Sequence, residues 1–148
     1  MKVTRFEDLD CWKEARQLTR QVYEVIEQSS AWKRDARLRG QIQGAAGSVM
    51  ANIAEGFVRR SNKEFVQYLF IAMSSSAEVR SHLYIAVDQG YLSRDSFKSV
   101  YAQALPSLSG LFSCNISSPK FESPHGCRCV LLCEGGRETR VPRNAGRG

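Results

Sequence analysis

Asn52 and Glu55 stand three apart in SVMANIAEGFVRRSNKEF, residues 48–65, among Val49, Met50, Ile53 and Ala54. Three residues make about one helical turn, so the amide and the carboxylate share a face. Ser48 lies one turn earlier on that face and Arg59 one turn later. A carboxylate so placed can serve as a general acid or as a ligand. The other reading is a structural polar network. A buried polar group without a partner costs about 1–3 kcal/mol, so such groups come as satisfied sets. No base, nucleophile or ligand set converges on Glu55, which favours the network. It would join Ser48, Asn52 and Glu55 of one helix to Ser75, Ser76 and Glu78 of the next. No catalytic residue is assigned, and the chain is read as a non-enzyme without a small-molecule substrate.

Two further sets have ligand-bearing side chains. Glu78 and His82 are four apart. A di-metal bundle needs Glu-x-x-His on two helices plus further carboxylates, and here there is one pair with a longer step. His125, Cys127, Cys129 and Cys133 read H-x-C-x-C-x-x-x-C, a spacing that fits no common zinc module. No metal and no cofactor are expected. Cys11 stands alone, while Cys114 joins the other three late in the chain. The odd count, the crowding and the lack of a secretion signal argue against a disulfide framework.

Basic residues form the third set. Lys33, Arg34, Arg37 and Arg39 surround one bend, and Arg59 and Arg60 mark the next. Phosphate binding needs cations rather than a motif, so these six are the candidate nucleic-acid contacts. The bland reading is a pair of solvated helix ends. The aromatics Trp12 and Tyr23 fall on an apolar stripe and read as core rather than as stacking platforms.

The elements that must position these residues are helical. Leu9, Trp12, Ala15, Thr19, Val22, Tyr23 and Ile26 recur at steps of three and four, with Asp8 as a candidate cap. QSSAWKRD then breaks the pattern. A second helix carries Leu38, Ile42, Ala45, Val49, Ile53 and Phe57, capped by Asp35. Its Gly40, Gly44 and Gly47 each cost roughly 1 kcal/mol against Ala. With Ala45, Ala46, Ala51 and Ala54 they leave a small-residue face that would let another helix approach, and Gly56 reads as the point where the helix loosens. SNKE, residues 61–64, is a capping box. It opens a third helix through Phe65, Tyr68, Leu69, Ala72, Ser75 or Ser76, Val79, Leu83 and Ala86, ended by Gly90. Ser93 with Asp95 opens a fourth through Phe97, Val100, Tyr101, Ala104, Leu108 and Leu111, with a kink or break expected at Pro106. The fold class is therefore all-α, an antiparallel up-down-up-down four-helix bundle. If the helices alternate, the two basic bends lie at opposite ends.

The chain has 148 residues and a formal net charge of +6, enough length for one domain with a real core and a charge that suits polyanionic partners. Residues 1–112 hold 15 Lys and Arg against 12 Asp and Glu, and residues 113–148 hold 6 against 3. Half of the excess thus lies in the tail. Residues 1–112 are assigned to the bundle. Residues 113–148 are an irregular tail containing Cys, Arg and Gly, read as disordered or derived from a frameshift. No apolar run is long enough for a bilayer and no signal opens the chain, so the expected compartment is the cytoplasm with no membrane partner.

FEDLDCWKEARQLTRQVY, SVMANIAEGF, SNKEFVQYLFIA and SSAEVRSHLYIA, in that order, resemble a bacterial four-helix-bundle family first met as reading frames in intervening sequences of 23S ribosomal RNA genes. The resemblance covers roughly residues 5–112. It implies an up-down-up-down bundle that assembles as a homo-oligomeric ring, commonly a pentamer. The accessory protein of diversity-generating retroelements is similar in fold and uses a basic surface. The chain departs from the family pattern at Gln43, Gly44, Gly47, Ser74 and Ser75, and in the whole tail. The functional expectation is a non-catalytic oligomeric binding or scaffolding protein, engaging RNA or an RNA–protein assembly through basic helix ends. The alternative is a protein–protein interaction module with no direct nucleic-acid contact.

Overall fold

Leu9 opens the first long helix, not Asp8. The computed structural model describes residues 3–59 and 61–104. A 3-10 turn at Phe6–Asp8 takes up Asp8, and Leu9 N–H closes it on the Phe6 carbonyl. Helix α1 then runs over Asp10–Gln28. A five-residue helix, α2 (Ser30–Arg34), follows where the sequence pattern stops. The long helices α3 (Ala36–Val58), α4 (Asn62–Asp88) and α5 (Arg94–Ala104) complete the described part. The all-α bundle is as expected, with α1, α3, α4 and α5 as its long members and α2 as an unforeseen turn of helix. Leu108, Leu111, the expected break at Pro106 and the tail assignment fall outside the described residues.

The caps explain the boundaries. Ser29 accepts from Trp32 N–H at 3.2 Å and starts α2. Asp35 accepts from Leu38 N–H at 3.0 Å and starts α3, as expected. Ser61 accepts from Glu64 N–H at 3.2 Å and also donates to the Glu64 carboxylate at 2.7 Å. The capping box forms, with the Ser61 hydroxyl rather than its amide as the second donor. Gly90 stands at φ +69°, the left-handed position that favours glycine after a helix. Ser93 accepts from Ser96 N–H at the start of α5.

Two apolar clusters build the core. One gathers Leu18, Val22 and Ile26 of α1, Trp32, Leu38 and Ile42, Leu83 and Ala86 of α4, and Val100 of α5. The other gathers Cys11 and Ala15 of α1, Val49 and Ile53 of α3, and Phe65 and Leu69 of α4. Early residues of α1 thus meet late residues of α3, and late residues of α3 meet early residues of α4, which makes these neighbours antiparallel. Cys11 is fully buried. Cys11 is disulfide-bonded; Cys114, Cys127, Cys129 and Cys133 lie outside the described residues, and the expectation against a disulfide framework lies there with them.

Two stripe residues behave differently from the pattern. Tyr23 is 49% exposed and is not core. It follows fully buried Val22, and one residue turns a helix by about 100°, which carries its ring off the buried face. Trp12 is half-buried and packs edge-on against Phe6. The small-residue face also turns out differently. A Cβ at Gly40, Gly44 or Gly47 would meet nothing within 4 Å among the described residues, so no described helix approaches them closely. The close approach is at Gly56, where a Cβ would fall 2.6 Å from Tyr68 Cβ and 2.9 Å from Phe65 Cδ2. Gly56 is therefore where α3 and α4 press together, not where the helix loosens.

Glu14 sits on the α1–α5 side, its backbone carbonyl accepting from Gln103 Nε2 at 3.4 Å. Burial first, and Asp10 second, push its carboxyl above the usual range. A carboxyl whose folded pKa is raised binds its proton more readily in the folded state. Its contribution to stability is present at low pH and is lost as pH rises through the folded value. Glu14→Gln is accordingly expected to raise stability at pH 7 and to lose that advantage below about pH 4, near the unfolded carboxylate value. Urea titrations at the two pH values read the difference.

Candidate functional site

The six polar residues expected to clasp the second and third helices do not form one network among the described residues. Asn52 Nδ2 donates to the Ser48 carbonyl at 2.7 Å, within its own helix. Glu55 is exposed. Ser75 donates to Ile71 O at 3.2 Å, again within its helix. Of the six, Ser76 crosses to another helix. It is fully buried and donates to Ala104 O of α5 at 2.9 Å. Glu78 approaches His82 Nε2 at 3.5 Å. The physical reason is geometry: the Ser48–Asn52–Glu55 row points past the seam where α3 meets α4, and there a helical side chain's nearest acceptor is its own preceding turn. The inter-helix polar tie that sequence reasoning missed is Thr19, whose hydroxyl lies 2.9 Å from Ala15 O and 3.1 Å from Ala46 O.

No group of three or more His, Cys, Asp or Glu side chains is arranged to hold a metal among the described residues. His125, Cys127, Cys129 and Cys133 lie outside them. No helix searched there is long and apolar enough to cross a membrane.

The basic residues are divided between the two ends. Trp32 and Leu38 belong to one core cluster and Ile53 and Phe65 to the other, so Lys33–Arg39 and Arg59 sit at opposite ends as expected. Arg60 lies outside the described residues. The cations are not equally available. Lys33 Nζ pairs with Glu27 at 2.6 Å. Arg39 Nη1 donates to the Lys33 carbonyl at 2.8 Å, which braces the α2–α3 joint. Arg59 lies over the Tyr68 ring, 4.9 Å from its centroid, and donates to the Tyr68 hydroxyl. Arg34 and Arg37 are exposed, and neither is in an ion pair among the described residues. Of the five candidate cations that are described, these two are left most available to an anionic partner.

An aromatic group on the α4–α5 side was not foreseen as a unit. Tyr84 packs on Phe97 at 5.0 Å and edge-on to Tyr101 at 5.8 Å. Arg80 lies over Tyr101 at 5.9 Å. The signal was present, since Arg80, Tyr84, Phe97 and Tyr101 recur at helical steps on adjoining helices. It reads as ordinary core until the helix positions are known.

The geometry can be set beside known proteins. No curated protein matches the chain. A crystal structure from Bacteroides thetaiotaomicron, described as a protein of unknown function from the S23 ribosomal protein family, has a similar fold. It matches with a TM-score of 0.62 at 19% identity, covering 70% of this chain and 95% of that one. At that identity the likeness speaks for the fold alone. The family model described as "23S rRNA-intervening sequence protein" matches residues 7–108, which include the five α-helices of the described residues. The chain belongs to the 23S rRNA-intervening sequence protein family.

Proposed function

We propose that the protein is a non-catalytic binding scaffold that engages RNA, or an RNA–protein assembly, through the basic end formed by α2 and the start of α3. The observation that carries this reading is the exposure of Arg34 and Arg37 on either side of the Asp35 cap. The family's association with 23S ribosomal RNA sequences gives the choice of polyanion. Lys33 and Arg39 support the same end, and Arg59 with Arg60 supplies a second, separate group. Assembly as a homo-oligomer, a pentameric ring included, would repeat these cations around one surface and raise the local potential. Binding would proceed by counterion release with little reading of sequence.

A filter-binding titration of ribosomal RNA over a salt series tests this. Affinity is expected to fall linearly on a log–log plot, and an Arg34→Gln, Arg37→Gln double variant is expected to flatten the slope by about one unit per lost phosphate contact. No binding at low ionic strength ends the proposal. The second reading is a protein-interaction module without nucleic-acid contact. It is favoured by the exposure of Tyr84 and Ile85. Charge reversal at Arg59 and Arg60 that abolishes capture of a protein partner while RNA binding persists would support it.

A further inference from the structure

Helix α5 sets two cations beside two aromatic rings. Arg94 and Lys98 stand four apart, and so do Phe97 and Tyr101; Arg94 precedes Phe97 by three, as Lys98 precedes Tyr101. Side chains at steps of three and four are neighbours on a helix surface. The rings of Phe97 and Tyr101 lie 5.3 Å apart with 29° between their planes. Helix α4 adds Tyr84, 5.0 Å from Phe97 and edge-on to Tyr101 at 5.8 Å. The group is open to solvent, since Tyr84 is 51% exposed. Arg94 and Lys98 are exposed too, and neither is in an ion pair among the described residues. We infer that this face is a platform for unpaired RNA bases, which stack on Tyr84 and the rings beside it while Arg94 and Lys98 hold the phosphates.

The platform is continuous with the basic end formed by α2 and the start of α3. Phe97 and Tyr101 pack against the apolar cluster that holds Trp32 and Leu38. Tyr91, just before α5, stacks on the Trp32 ring. Arg34 and Arg37 lie between Trp32 and Leu38 in the chain. The start of α5 therefore stands at the same end of the bundle as the two most available cations of α2 and α3. Arg80 adds a further positive charge from behind, over the Tyr101 ring at 5.9 Å. Two carboxylates border the group. Asp95 sits in the first turn of α5, where it answers the positive end of that helix. Asp88 closes α4. Neither stands between the rings and the cations Arg94 and Lys98 along α5.

The occupant follows from this pairing of rings with cations. Rings alone would suit an apolar protein segment. Rings beside exposed cations suit a ligand that alternates flat faces with negative charge, and a single-stranded nucleic acid is such a ligand. In a duplex the base faces are stacked on one another, and only edges and backbone remain to be touched. The surface therefore separates unpaired from paired RNA. It does so without reading sequence, because every base has a flat face. The Tyr84 phenol does not oppose this. A hydrogen bond with Tyr101 raises its pKa above the ordinary tyrosine value, so the ring brings no negative charge towards a phosphate at neutral pH.

The platform rests on the proposed RNA binding and names the kind of RNA that is bound. Its test is fluorescence anisotropy on the full chain with two labelled probes at one salt concentration, a single-stranded oligouridine and a blunt RNA duplex of equal length. Tyr84→Ala is expected to weaken oligouridine binding at least about five-fold, the loss of one stacked base, and to leave the duplex affinity and the salt slope unchanged. Tyr84→Phe keeps the ring and should bind as the unaltered chain does. Arg94→Gln with Lys98→Gln should instead lower the salt slope for oligouridine, by about one unit per lost phosphate contact. Circular dichroism shows that helix content is kept in each variant. Oligouridine binding untouched by Tyr84→Ala, or an equal loss for both probes, overturns the platform and leaves the RNA proposal standing. Binding of the duplex alone does the same. Binding of neither probe overturns both. If Tyr84→Ala changes the mass in light scattering and leaves the oligouridine affinity as it was, a protein covers the rings and the platform is overturned.

Discussion

Trp32→Ala is expected to lower the unfolding free energy by about 3–5 kcal/mol, the range for deleting a buried aromatic side chain. Trp32 is fully buried, the largest such side chain in the core. Its ring lies 6.5 Å from that of Tyr91 with 26° between the planes, and it shares a cluster with Leu38, Ile42 and Leu83. It therefore plugs the end where α2, α3 and α4 converge. For a domain of about 100 residues each kcal/mol shifts the melting temperature by about 4–8 °C, so a fall of at least about 12 °C should be seen in a thermal melt. Trp32→Phe keeps a ring in the site. It also removes an indole N–H that is buried and unpartnered among the described residues, a group that costs free energy in the native protein. Its expected cost is less than half that of the alanine variant. Equal melting temperatures for the two variants would show that the ring does not fill this end of the core.

The second large effect is at Gly56. Alanine in a helix interior normally gains roughly 1 kcal/mol over glycine. Here its methyl would sit 2.6 Å from Tyr68 Cβ, close to the backbone of α4, where no flexible end can swing aside. Overpacking of this sort costs about 1–3 kcal/mol. The repulsion outweighs the propensity, and Gly56→Ala is expected to destabilise, with Gly56→Val worse. Gly44→Ala is the control. Among the described residues nothing lies within 4 Å of its added methyl, so only the propensity gain remains and the variant should be more stable by roughly 1 kcal/mol. Urea unfolding of the three variants gives opposite signs at the two glycines. The same sign at both would mean that the helices separate at no cost.

These two residues also show where sequence reading succeeds and where it stops. The long helices were legible because each has a sustained apolar period, reinforced in α3 and α4 by the side-chain caps at Asp35 and Ser61. Trp32 was not, because α2 has five residues and so completes little more than one turn of any period. Only its Ser29 cap signals it, and between Gln28 and Ser30 that cap reads as one more residue of a polar break. At the glycines the sequence shows which positions are small but not which way they face. Gly40, Gly44 and Gly47 have open space beside them, while Gly56 meets its neighbour, and that distinction depends on how α3 is rotated against α4. The polar set was misjudged for the same reason. Ser48, Asn52 and Glu55 share a face, as their spacing requires, but the bundle turns that face past its partner. The basic bends were placed at opposite ends by simple alternation of the helices. Which cations stay available was not legible, since the Glu27–Lys33 pair and the Arg59–Tyr68 contact join residues six and nine apart.

The length of α4 has a consequence for how the two basic ends can work. Its 27 residues make a rod of about 40 Å. Fields from exposed charges fade over about 8 Å at physiological ionic strength, so the rod spans several screening lengths. Each end is electrically deaf to the other. If the proposed binding holds, a polyanion at Arg34 and Arg37 would neither draw nor repel one at Arg59, and losses from neutralising the two groups should simply add. On the proposed reading the bundle would act as an insulating spacer, holding two anionic segments at a set distance without either occupancy biasing the other.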